Sequence, residues 1–346
     1  MPTCVILYMA FSEWAYSYLF CYQHVYKIYG NKHAMIAFIT VANILWFITL
    51  LFWFLLLIRK PGHILVKVPP YSLSKFVYNG SKLNFEHKNE TFSSLSMLDT
   101  QEDGGMIQPP PMFDCDRNGL PSWCSECCSL KLLRSHHSSV TNQCIPWFDH
   151  FCTFVGSTIG KQNYGYFIIY VMSIELLMIF TWITVVVYSG IKHSMHSALI
   201  VFVIITGALS ISVAQLEINL ISDLFYGETT IERLDRLSWK RSLKKGDKNN
   251  ENFYDYSSYV NVQHPHEPNL RLIVPLTIND KPYDNGVFKN IRMWFYNINQ
   301  LKTPIDVSNF QYDMYGDKFK RDIQKRIEEN NYRIFGYESS IEPVSI

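Results

Sequence analysis

Charge bias is missing from this chain, with 31 Lys+Arg against 30 Asp+Glu and a formal net charge of +1. Near-neutrality argues against a nucleic-acid footprint, so no nucleic-acid partner is expected. Internal repeats are absent as well. Paired broken helices and convergent intramembrane charges are not evident, which leaves little behind a transporter or channel reading. Segment 3–22 could be mistaken for a secretory leader, but it lacks a basic N-terminal flank and an obvious small-residue cleavage site. Charge is also absent from all of segment 34–58.

That uncharged run is long enough to cross the ~30 Å hydrocarbon layer, which needs about 20 residues. Segments 166–188 and 197–221 are similar, each with a single acid, Glu175 and Glu217. Segment 3–22 is aromatic-rich and carries Glu13. The expected architecture is an all-α integral membrane protein with four transmembrane helices, at 3–22, 34–58, 166–188 and 197–221. Intramembrane acids mark either functional sites or polar contacts between helices, and structural or interfacial roles are expected for Glu13, Glu175 and Glu217.

Basic residues near the span ends set the orientation. Lys27, Lys32 and Lys192 are the few cations of the short loops, whereas Arg59, Lys60, Lys67 and Lys75 follow the second span. Arg233, Arg236, Lys240 and Arg241 follow the fourth. The central loop, the tail and, with an even number of spans, the N-terminus are therefore expected in the cytosol. On that reading the sequons at Asn79 and Asn89 stay unmodified. Residues 59–113 read as a linker with a flexible insertion at 79–113, polar and containing Pro109-Pro110-Pro111. A cysteine-rich domain follows at 114–165. The tail, 222–346, holds a charged segment 317–330 with helical apolar spacing at Phe319, Ile323 and Ile327.

Six of the eight cysteines, Cys115, Cys124, Cys127, Cys128, Cys144 and Cys152, fall in one short stretch. In a reducing compartment such clustering favours metal binding or catalysis over disulfides. Cys124-x-x-Cys127 presents two thiolates from a tight turn, and His137 with Cys144 can complete a four-coordinate sulfur/nitrogen set that suits zinc. Asp149-His150-Phe151-Cys152 pairs a thiol with an imidazole one residue away. An imidazole can lower a thiol's pKa or accept its proton. One residue apart, the two side chains share a face in an extended segment and not in a helix. Phe151 would then point oppositely, into the module. Asp149 is placed to fix the imidazole tautomer and stabilise its charge.

From Cys124 onward, Cys-x2-Cys-x3-Lys-x2-Arg-x2-His-x6-Cys-x4-Asp-His-x-Cys resembles, without a gap, the cysteine-rich domain of the DHHC protein S-acyltransferases (palmitoyltransferases). The likeness runs on to Asn163-Tyr164 and Phe167. Thr229-Thr230-Ile231-Glu232 is similar to the family's Thr-Thr-x-Glu motif, and Lys60-Pro61-Gly62 resembles its Asp-Pro-Gly with the Asp replaced. Tyr283-Asp284-Asn285-Gly286 with Asn290 resembles its Tyr-Asp-x-Gly-x3-Asn element.

The resemblance implies a zinc set of Cys124, Cys127, His137 and Cys144. The family's second set would fall on Ser138, Thr141, Phe151 and Thr158, none of which keeps the ligand. One structural zinc is therefore expected, with ordinary packing in place of the other. The Asp-His-Phe-Cys signature is similar to a divergent, fungal-type branch reading Asp-His-Tyr-Cys. Leu132 replaces a usual Pro, and Thr153-Phe154 replace the usual Pro-Trp.

The implied activity is protein S-palmitoyl transfer by a ping-pong route. Cys152 takes a long-chain acyl group from acyl-CoA and passes it to cysteines of cytosolic or membrane-associated substrate proteins. His150 and Asp149 assist it. A palmitoyl chain has about 14 methylenes, each worth up to ~0.8 kcal/mol out of water, so membrane lipid and a cavity among the spans suit the substrate. Lys131, Arg134 and His136 match positions that contact CoA phosphates in the family, where cations are expected on physical grounds. The alternative of another class is a catalytically silent zinc-binding membrane scaffold.

Overall fold

The computed structural model describes residues 2–63, 67–73, 106–192, 197–245 and 258–335. The two sequons and residues 79–105 of the expected insertion lie outside them. By its internal contacts the chain forms two compact units, 1–61 with 149–223, and 62–148 with 224–346.

The first unit is helical. An α-helix, α1 (Pro2–Trp14), continues into a π-helix (Ala15–Ile28). Helix α2 (Lys32–Ile58) is opened by Asn31, whose side chain accepts from the Ala34 amide at 3.0 Å, an N-cap. It stops before Pro61, which cannot continue a helix. Helices α3 (Tyr164–Lys192) and α4 (Ser197–Tyr226) follow. Among the described residues, three helical stretches are long and apolar enough to cross a membrane: Lys32–Ile58, Tyr164–Gly190 and Ser197–Tyr226. The fourth expected span, 3–22, falls on α1 and the π-helix, where Glu13 and polar aromatics dilute the apolar run. Tyr16, Phe20, Cys21 and Val25 of the π-helix are nevertheless buried with Ala42, Val185 and Phe202 of the three long helices.

Two of the three acids, Glu175 and Glu13, make polar contacts. Ser210 Oγ donates to Glu175 at 2.7 Å, and Ser17 Oγ donates to Glu13 at 2.5 Å.

The second unit corrects the all-α expectation, because it contains a four-stranded antiparallel sheet in the order β1-β8-β9-β10. These strands are β1 (Met112–Cys115), β8 (Tyr259–Gln263), β9 (Arg271–Pro275) and β10 (Arg333–Ile334). Val260, Val274 and Leu276 bury one face against Phe319 and Ile323. Those two residues belong to the charged amphipathic helix of the tail, α8 (Asp317–Glu328), whose apolar stripe has the spacing read in the sequence. Helices α5 (Thr230–Lys245), α6 (Val287–Phe295) and α7 (Pro304–Asp313) complete the tail.

The sheet also corrects the flexible-insertion boundary. Residues 106–113 are held in place: Ser72 N donates to Ile107 O at 2.9 Å, and Pro110 O accepts from buried Arg271 Nη2 at 2.9 Å. The proline run does not donate to a ladder, so it leads into an edge strand rather than a central one.

Three short hairpins carry the cysteine-rich segment: β2 (Trp123–Cys124) with β3 (Ser129–Leu130), β4 (His136–Ser138) with β5 (Gln143–Ile145), and β6 (His150–Cys152) with β7 (Ser157–Ile159). The first two belong to the second unit and the third to the first. Isolated hairpins of this length are marginal at best, so each needs support from outside its own strand pair.

Candidate functional site

The turn between β2 and β3 brings Cys124 and Cys127 together, with Cys128 in the left-handed region at φ +48°. Across β4 and β5, His137 stands opposite Cys144. The ligand atoms of all four residues lie within 4.8 Å of one another, so the group could hold a metal ion. His137 Nδ1 is 3.6 Å from Cys124 Sγ and 3.4 Å from Cys127 Sγ. The donor set fits a cation. Burial, and then the Cys124 and Cys127 sulfurs, push the Cys144 thiol well up, because adjacent thiolates repel unless positive charge sits between them.

On β6, His150 and Cys152 occupy alternate positions of an extended strand and share a face, as the one-residue spacing predicts. Asp149 is fully buried, and its Oδ2 lies 2.7 Å from His150 Nδ1. The His150 ring meets buried Phe167 edge-on, with centroids 5.2 Å apart. Burial disfavours the imidazolium, yet Asp149 and then Cys152 outweigh it and raise the His150 pKa to about 9. Burial likewise opposes the Cys152 thiolate, but His150 and the backbone amides of Val155 and Phe154 outweigh it and lower the thiol's pKa. The arrangement favours the charged forms of both the Cys152 thiol and the His150 imidazole next to a carboxylate.

The pair sets a pH window. The thiolate is present above the lowered Cys152 pKa, and the imidazolium that holds it is lost as pH rises through about 9. Alkylation of Cys152 by iodoacetamide is therefore expected to plateau below the ordinary thiol range of about 8.5. In His150→Ala the rate should climb only through that range. Identical profiles for the two proteins would remove imidazole from the activation of the sulfur.

Phe151 departs from the sequence expectation. It points away from His150 and Cys152, but outward, 39% exposed, instead of into the module. Its cross-strand partner Thr158 is the buried residue of that pair. Ser138 is buried as well, and the Oγ1 atoms of Thr141 and Thr158 are buried with no hydrogen-bond partner. Packing thus covers three of the four positions, and among the described residues the four-ligand group above is the one cluster able to hold a metal.

Arg134 also departs from expectation. Its side chain is 3% exposed, and Nε and Nη2 both donate to the Glu232 carboxylate, the first at 2.6 Å. Burial disfavours its charge, but Glu232 outweighs this and raises its pKa above the usual arginine value. The guanidinium lies 4.3 Å from the Tyr283 ring centroid and 4.9 Å from that of Trp147. A guanidinium so enclosed has its charge matched by Glu232 and its faces covered by the two rings. Lys131 is half-buried and His136 exposed, so these two remain presented.

Glu232 has a second task. Its Oε2 accepts from the Thr229 amide at 2.9 Å, while its own amide donates to Thr229 Oγ1 at 3.4 Å. The reciprocal pair is a capping box that opens α5.

Asn163, part of the resemblance but given no role by the sequence, is a staple. Its Nδ2 donates to Thr158 O at 2.8 Å and Arg59 O at 3.3 Å, and its Oδ1 accepts from Gly160 N at 2.9 Å. These bonds tie the end of the β6–β7 hairpin to the segment leaving α2.

Comparison with known proteins gives the arrangement its relatives. Residues 117–236 match the family model described as DHHC palmitoyltransferase. Residues 117–236 thus form a DHHC domain. Over 246 residues it is 30% identical to palmitoyltransferase PFA5 of Candida glabrata, covering 70% of this chain and 63% of that protein. PFA5 of Kluyveromyces lactis is 31% identical over 185 residues, 54% of this chain and 49% of the relative. PFA5 of Saccharomyces cerevisiae is 29% identical over 188 residues, 54% of this chain and 47% of the relative. The chain thus matches between about half and under two thirds of these relatives' length. That domain is divergent and, by these relatives, fungal in type, with Phe151 in the signature. The matched region holds the metal-ligand group, the Asp149–His150–Cys152 strand and the Arg134–Glu232 pair.

Proposed function

We propose that this protein is a protein-cysteine S-palmitoyltransferase of the membrane surface. The observation that carries the reading is the Asp149–His150 contact of 2.7 Å on a strand that puts Cys152 on the same face as His150. The Cys152 thiolate attacks the acyl-CoA thioester carbonyl, forming acyl-Cys152 and expelling CoA thiolate, to which imidazolium His150 gives its proton. The cysteine thiol of a substrate protein then loses its proton to neutral His150 and attacks acyl-Cys152. The second exchange restores the thiolate–imidazolium pair. Both bonds are thioesters, so no further energy source is needed. Asp149 holds the imidazole's orientation throughout.

Lys131 and His136 serve the CoA phosphates. Helix α1 with the π-helix is the fourth span, supported by the burial of Tyr16, Phe20 and Val25 among the three long helices. The catalytic segment and both termini face the cytosol, as the basic residues beside the spans suggest. Cys124, Cys127, His137 and Cys144 would hold a zinc ion, which would staple the two hairpins that carry them and supply no redox step.

Zinc content of purified protein is expected near one per chain, and Cys144→Ser should lower it severalfold. About two zinc ions per chain would contradict the loss of the second set. The activity test is the acyl-enzyme itself: purified protein incubated with palmitoyl-CoA should carry a hydroxylamine-cleavable adduct on Cys152. Its absence, with zinc retained, would leave a silent metal scaffold.

A further inference from the structure

Strand β6, with His150 and Cys152 on one face, and helix α3 both belong to the first unit. Phe167 of α3 meets the His150 ring edge-on, with centroids 5.2 Å apart. Three residues further along, on the same side of the helix, stands Tyr170. The two steps are comparable. From His150 to Cys152 the strand advances about 6.6 Å, and from Phe167 to Tyr170 the helix advances about 4.5 Å. A long helical side chain leans back over the turn before its own Cα, which directs the Tyr170 ring toward Phe167 and the strand. Tyr170 and Cys152 are electrostatic neighbours as well, since a thiolate at one and a phenolate at the other would repel.

Tyr170 is 6% exposed. Buried hydroxyls are bonded as a rule, and two other tyrosines of this unit follow it. Tyr8 Oη lies 3.0 Å from Thr206 Oγ1, and Tyr16 Oη lies 2.9 Å from Thr184 Oγ1. Tyr170 Oη has no hydrogen-bond partner among the described residues, and it keeps an opening to solvent. A donor held on a helix beside the nucleophile, and committed to nothing, awaits an acceptor. The reaction supplies one: the thioester carbonyl oxygen becomes an oxyanion when sulfur adds to its carbon. The backbone groups around Cys152 are already engaged. The amides of Val155 and Phe154 serve the Cys152 sulfur, and Gly156 N donates to Cys152 O at 2.7 Å.

We propose that Tyr170 is a catalytic residue of the acyl exchange, its Oη–H donating to the thioester carbonyl oxygen as that oxygen becomes negative. The proposal rests on the S-acyltransferase reading and adds a residue to it. In the first exchange the Cys152 sulfur bonds to the acyl carbon, and an electron pair of the carbonyl moves onto its oxygen. Tyr170 keeps its proton and steadies that charge through the hydrogen bond. The double bond then re-forms, the bond between the acyl carbon and the CoA sulfur breaks, and that sulfur takes the proton of His150. The second exchange passes through an oxyanion on the same carbon, so one hydroxyl serves both.

The test sets two electrophiles on one sulfur, in full-length wild type and Tyr170→Phe, purified in detergent. Palmitoyl-CoA is attacked at a carbonyl carbon, whereas iodoacetamide is displaced at a saturated carbon and develops no oxyanion. Loss of one oxyanion donor is expected to slow formation of acyl-Cys152 about 10²-fold. The rate and pH profile of Cys152 alkylation should stay as in wild type, and so should the palmitoyl-CoA concentration giving half the maximal acylation rate. Phenylalanine keeps the ring, and the alkylation rate itself reports whether the site is intact. Acylation by Tyr170→Phe at the wild-type rate would overturn the proposal and leave the transferase reading standing. Equal slowing of alkylation and acylation would overturn it too, because Tyr170 would then act through the thiol or the packing around it. Wild-type protein that is alkylated at Cys152 yet takes no acyl group would remove the transferase reading and this proposal together.

Discussion

Cys152→Ser is expected to abolish the hydroxylamine-cleavable acyl adduct, and His150→Ala to slow its formation by about 10²–10⁴-fold, the range for a lost general acid–base partner. Serine keeps the strand geometry but not the acidity. His150 and the amides of Val155 and Phe154 lower a thiol pKa that burial alone would raise, and a hydroxyl starts far too high for the same environment to ionise it. Asp149→Asn should leave the β6–β7 hairpin paired yet present the wrong imidazole tautomer, because Asp149 Oδ2 is the atom facing Nδ1. Its loss should fall in the acylation rate and not in zinc content. Intact-mass kinetics with palmitoyl-CoA read all three variants. An undiminished adduct in Cys152→Ser would move the nucleophile elsewhere.

Glu232→Gln is expected to cost about 3 kcal/mol, since breaking a buried ion pair leaves an uncompensated charge. The value sits at the low end for buried pairs because the Glu232 side chain keeps 30% of its exposure while Arg134 keeps 3%. The substitution also weakens the capping box with Thr229. Arg134→Met should cost less, because no buried guanidinium remains, and the double variant Arg134→Met with Glu232→Leu should recover part of the loss. Melting in detergent measures all three, with strong non-additivity between the two sites. A role at CoA phosphate predicts a different pattern: a raised KM for acyl-CoA in Arg134→Met, an unaltered melt, and no coupling to Glu232.

Local pattern carried much of the site into view. The Cys-x-x-Cys knuckle, the hairpin that sets His137 against Cys144, and the shared face of His150 and Cys152 all depend on spacing over a few residues. The three helices long and apolar enough to span a membrane declare themselves by sustained hydrophobicity. The burial of Arg134 was not legible because its environment is built from Glu232, Tyr283 and Trp147, spread across the chain. A cation's spacing near a metal site says nothing about an ion pair formed roughly a hundred residues later. The capping box in Thr229-Thr230-Ile231-Glu232 was legible, since Thr-x-x-Glu is its signature. Phe151 was misplaced because strand alternation tells which side a residue takes, not whether that side is covered. The sheet escaped notice for a related reason. Met112-Phe113-Asp114-Cys115 is too short to announce a strand without its distant partner.

That partner is Tyr259–Gln263, which reaches Met112–Cys115 only after the cysteine-rich hairpins and two spans have been made. Closing so long a loop is entropically costly and slow. During synthesis β1 leaves the ribosome as an orphan edge and stays one until the tail emerges. The nascent protein therefore carries its reactive cysteine segment well before the sheet of the second unit can close, an interval in which a chaperone or a quality-control protease would find the unpaired strand.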